Sequence, residues 1–109
     1  MNFSEMVQRF AVALPGTDSF KHANTHCEAI IQNEPFQSCA AFLIAGFCRT
    51  YVLIYEDQAL EADFARRNHR QLLEYMNQLD TALVTQDHSV VHQALIDVVE
   101  HYAKSDRIF

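Results

Sequence analysis

The chain has 109 residues, half of them hydrophobic and a fifth charged, with a formal charge of -6; that is the sequence of one globular domain, residues 1–109, and not of a disordered chain. Two glycines and two prolines are too few to turn an all-β chain every few residues, which favours long helices. The acidic balance, with Arg66-Arg67 as the only adjacent basic pair, opposes binding to a nucleic-acid backbone or to an anionic membrane surface.

The opening MNFSEMVQRFAVALPG carries Glu5 and Arg9 inside its apolar portion and lacks a basic start, unlike a secretory signal. Asn2 and Glu5 have the spacing of a capping box. Phe3, Met6, Val7, Phe10, Ala11 and Leu14 follow at helical spacing, and Pro15-Gly16 ends the helix. Thr17 or Asp18 is expected to cap a second helix, whose apolar face holds Phe20, Ala23, Cys27, Ile30 and Ile31. Asn33-Glu34-Pro35 is a break, with the proline suited to the first turn of the next helix.

That third helix contains CAAFLIAGFCRTYVLIY, residues 39–55. Its apolar residues point in every direction around a helical wheel, the pattern of a helix surrounded by protein or lipid. The run is barely long enough to cross a bilayer, and Arg49 near its middle would cost about 2.5–3.5 kcal/mol on insertion. The expectation is a buried central helix over about residues 36–56, with no membrane span. The segment TYVLIY has strand-like composition, but no second strand exists to pair with it. Arg49 reads as a buried charge needing a partner from another helix or subunit, with Asp80, Asp97 and Glu100 as candidates, or else as a side chain that snorkels to the edge of the core.

After a break near Glu56 to Gln58, Ala65, His69, Leu72, Met76, Leu79 and Leu83 form one helical stripe. Asp87 or Ser89 can cap a last helix with the stripe Val91, Ala94, Leu95, Val98 and Tyr102. SDRIF is expected to fray beyond it. The sum is an all-α fold, a compact bundle of about five helices around one buried central helix.

Residues with chemical potential are sparse. Cys27, Cys39 and Cys48 form no CxxC pair and read as small buried hydrophobes in a reducing cytoplasm. The pairs His22/His26 and His88/His92 each place two imidazoles on one helical face, which is half a metal site. His69 lies within an apolar stripe and must find a hydrogen-bond partner or a metal. No histidine has a glutamate three residues before it, as ferritin-like di-iron bundles need. No nucleophile elbow or Gly-rich phosphate loop occurs, so an enzyme of a known motif class is not expected.

The segment from His69 to Asp106 is similar in outline to the middle of a hemerythrin-type domain, with His69, Asn77, Leu79 and Ala82 on the pattern. Ser105 and Asp106 stand where that family's histidine and glutamate ligands would fall, and the helix carrying its further ligands is missing. Family membership is not taken from this outline.

The functional expectation is a small soluble, non-enzymatic helical protein, cytoplasmic and without cofactor. It would act through protein–protein interaction, as a homodimer or with a client or regulatory partner, using the aromatic side chains Phe36, Phe47, Tyr51 and Tyr55. The alternative is a metal- or small-ligand-binding bundle using His69 with one of the paired histidines. That alternative requires three or more of His22, His26, His69, His88, His92 and His101 to converge.

Overall fold

Five apolar stripes separated by polar breaks give five helices. In the computed structural model, which describes all of residues 1–109, these are α1 Phe3–Val12, α2 Thr17–Asn33, α3 Ser38–Tyr55, α4 Ala62–Leu83 and α5 His88–Lys104, with a 3-10 turn at Pro35–Gln37. No strand forms, and TYVLIY completes α3. The Cα radius of gyration is 13.2 Å, close to the ~13 Å expected for a compact domain of this length.

The helix ends follow from local chemistry. The Asn2 side chain accepts the Glu5 amide at 2.8 Å, and Asp87 accepts those of Ser89 and Val90; each satisfies donors that a helix start leaves unpaired. α2 departs from the expected cap: it starts after Gly16, at φ +136°, and neither Thr17 nor Asp18 caps it. α1 stops at Val12, before Pro15-Gly16, leaving Leu14 exposed.

Neighbouring helices run antiparallel, each short connection reversing the chain. Lys21 at the start of α2 pairs with Glu56 just beyond the end of α3. Tyr75 of α4 meets His101 of α5. α1 closes the structure by lying on α4, Ser4 donating to Asp80 at 2.5 Å and Phe10 stacking on His69. α2 and α3 share the largest helix–helix interface, and Phe20 of α2 stacks on Tyr51 of α3 within it.

The core is one cluster of 25 buried side chains, with a group of packed aromatic rings inside it. Phe20 stacks on Tyr51 with ring centroids 3.9 Å apart, and Phe109 meets Phe20, Phe47, Tyr51, Tyr75 and Tyr102. The expected fraying of SDRIF is therefore corrected. Phe109 is only 1% exposed, and the Tyr102 hydroxyl donates to its carbonyl. The ring's burial holds the segment after α5 against the bundle.

α3 contributes seven buried side chains, from Ala40 to Tyr51, but the protein surrounds it on one side only. The opposite side faces solvent, with Phe42 64% and Leu53 86% exposed. Apolar residues in every direction identified a helix with two apolar faces; the bundle covers one of them.

Candidate functional site

The histidines do not converge. No three side chains of histidine, cysteine, aspartate and glutamate gather closely enough to hold a metal ion, so the requirement set for the metal-binding alternative is not met. His22 and His26 line a cleft between α1 and α2. His88 packs edge-on against Phe36, with centroids 5.0 Å apart, and His92 is exposed. His101 Nδ1 and the Tyr75 hydroxyl are hydrogen-bonded at 2.7 Å, and Gln71 donates to the same hydroxyl.

His69 is a core histidine. Its Nε2–H donates to the Phe10 carbonyl at 2.8 Å, which fixes the tautomer because a carbonyl can only accept. Its ring lies parallel to that of Phe10 at 3.9 Å. Nδ1 is buried without a partner, so a proton there would be a desolvated charge on an unpaired donor. Burial accordingly pushes the His69 pKa below the usual 6.5, against a smaller upward pull from the Phe10 carbonyl.

A histidine whose folded pKa is depressed binds fewer protons folded than unfolded. Its stability contribution is complete above about pH 6.5 and is lost as pH falls through the folded value. Unfolding free energy, measured by urea titration, is expected to fall as pH drops below that range. His69→Gln should flatten the slope. An unchanged slope in this variant would show that His69 is not the titrating group; His26, also depressed, would then account for it.

Next to His69 on α4, Asn68 is fully buried, and its side-chain amide donates to the Tyr51 hydroxyl at 2.8 Å. This bond ties α3 to α4 inside the aromatic core. Tyr51 and Phe47 are buried, and Phe36 and Tyr55 half-buried, so the four proposed interface aromatics mostly face inward. Phe47 and Tyr51 are core residues and are removed from that list.

Arg49 is also reassigned. It is exposed, with its guanidinium 5.9 Å from the centroid of the Phe42 ring, within reach of a weak cation–π attraction. Asp80 instead accepts from Ser4, and Asp97 from Gln93. Cys39, expected inside, is exposed as well. Cys27 and Cys48 are buried, and desolvation pushes their thiols up, Cys27 to about 12. Neither thiol is a nucleophile near neutral pH.

These corrections leave one continuous feature, the outer side of α3. Cys39, Phe42, Gly46, Arg49 and Leu53 recur at three- and four-residue spacing along it, with Leu43, Thr50 and the 43%-exposed Ile54 at its edge. A trough runs beside it, closed on the far side by Tyr102 and Phe109. A Cβ placed on Gly46 would meet nothing within 4 Å. Nothing inside this chain requires glycine there, yet glycine in a helix interior costs about 1 kcal/mol relative to alanine. Apart from Arg49 the face carries no charge.

The fold and surface define the class, a small all-helical bundle with one uncovered apolar helix face. No family model, curated protein or solved structure matches the chain.

Proposed function

We propose that the protein acts by association through the outer face of α3, and that its first partner is a second copy of itself in a reducing, cytoplasmic setting. The observation that carries this is the apolar face of α3 centred on Gly46. A side chain absent where the chain leaves open space permits close approach of another helix, and Phe42 and Leu53 flank that point with exposed apolar surface.

Charge selects the arrangement. In a parallel two-fold pairing Arg49 would face its own copy, a like-charge contact. In an antiparallel pairing that crosses at Gly46, Arg49 lies opposite Leu43, Phe42 opposite Thr50, and Leu53 opposite Cys39. Antiparallel pairing also aligns the helix dipoles favourably. α3 has 18 residues and is about 27 Å long. One helix face of that length buries on the order of 1,000 Å² in total, at the low end for specific interfaces, so the dimer is weak and concentration-dependent.

Isotope-filtered NMR on a mixture of labelled and unlabelled protein tests the arrangement. Contacts between the Leu53 methyls of one copy and the Cys39 side chain of the other support it. Contacts between copies that avoid α3 contradict it.

Gly46→Ala separates the roles of this residue by sign. In dilute monomer the substitution is expected to raise stability by about 0.5–1 kcal/mol, because helix propensity improves and no clash arises. Dimer affinity should fall, because the new methyl sits where the helices cross. Higher stability with unchanged or tighter association, measured by thermal melts and sedimentation, would remove Gly46 from the interface.

A further inference from the structure

The cleft between α1 and α2 is a second and independent feature. It encloses about 350 Å³, and Arg9 of α1 and His22 and His26 of α2 all line it. The only ion pairs in the protein are Lys21 with Glu56 and Arg66 with Asp63. These three basic side chains thus gather without a carboxylate partner in a chain of net charge -6. Glu5 on α1 and Asp18 on α2 each lie one turn from Arg9 and His22 without pairing with them, and Asp18 shares the adjoining recess with His22.

The other lining residues are Met6, Phe10, Ala13 and Ala23, which are apolar, and Ser19, whose hydroxyl donates to the Gly16 carbonyl; of these only Ala13 is not buried. Phe10 is held rigidly, because His69 stacks on its ring and hydrogen-bonds its carbonyl. A cationic Arg9 on α1 and two imidazoles on α2 thus stand over a small apolar floor, the arrangement that suits a ligand with a charged head and a small apolar body.

We infer that this cleft binds a small organic oxyanion, a carboxylate or phosphate monoester, with Arg9, His22 and His26 holding the charged head and Ala13 and the rim of the Phe10 ring supporting the apolar part. Arg9 provides a planar fork of N–H donors matched to two oxygens of the head. The two imidazoles add N–H donors. Positive groups crowd His26 in the empty cleft: its pKa is lowered by burial first, then by Arg9, His22 and the Met1 amine. An anion among them relieves that repulsion, so binding and proton uptake reinforce one another.

The test is an NMR titration of the full chain with phenyl phosphate, benzoate and inorganic phosphate in turn, following the histidine ring protons at about pH 6 and about pH 8, on either side of the ordinary histidine range. Saturable shifts at His22 and His26, absent at the exposed His88 and His92, are expected with at least one of the aromatic anions. Phenyl phosphate or benzoate, whichever binds more tightly, identifies the head group. Binding should weaken about tenfold or more at the higher pH and in Arg9→Gln, a substitution at an exposed residue that leaves the core intact. Inorganic phosphate binding as tightly as phenyl phosphate would overturn the apolar half of the assignment. Absence of saturation, or equal shifts at all exposed histidines, would overturn the whole.

Discussion

Replacing Phe109 by alanine is expected to destabilise the fold by about 3–5 kcal/mol, the range for removing a fully buried phenylalanine ring. The ring is almost wholly buried and meets five other aromatic side chains drawn from α2, α3, α4 and α5. Its loss opens a cavity where four helices meet, and rigid neighbouring rings collapse into such a space poorly. Leu53→Ala, at a position 86% exposed, is the matched control and should change monomer stability by no more than about 0.5 kcal/mol. Urea unfolding of both variants decides the matter. A Phe109→Ala effect as small as that of Leu53→Ala would mean that the segment after α5 frays in solution.

The second large effect concerns association. Phe42→Glu is expected to weaken the dimer at least about 30-fold while leaving monomer stability nearly unchanged. Covering most of an exposed phenylalanine is worth about 2 kcal/mol, and the two-fold axis counts each residue twice, so a 30-fold loss is the lower bound. Glutamate also places two desolvated carboxylates in a nearly uncharged seam. Circular dichroism and melting of dilute protein should match the wild type, since Phe42 is 64% exposed in the isolated chain. Wild-type association by this variant would exclude the outer face of α3 as the interface.

Much of the architecture was legible in the sequence because it rests on local signals. The caps at Asn2 and Asp87 act over two or three residues, and every member of the α4 stripe, His69 included, is buried. The chain's expected resolution into one five-helix, all-α bundle holds. What escaped depends on which helix meets which. α3 is apolar all round, so periodicity could not say which side the protein covers. Two of the four aromatic interface candidates, Phe47 and Tyr51, fall on the side that meets the core, beside Ala40, Ile44 and Cys48.

Phe109 follows a segment too short to show a period, and only docking onto the aromatic cluster buries it. The anion cleft joins residues from two helices, and antiparallel packing of α1 on α2 brings them together. His22 and His26 were visible as a pair at i,i+4 spacing. Their neighbour Arg9 carried no signal beyond its charge.

The measurement that bears most directly on the central claim is sedimentation equilibrium of the wild-type chain over a wide concentration range in reducing buffer. The outer face of α3 predicts a reversible rise in mass from 12.5 kDa towards twice that value, ending at two copies because a two-fold pairing closes on itself. A mass that stays at that of one chain up to the highest soluble concentration would contradict self-association.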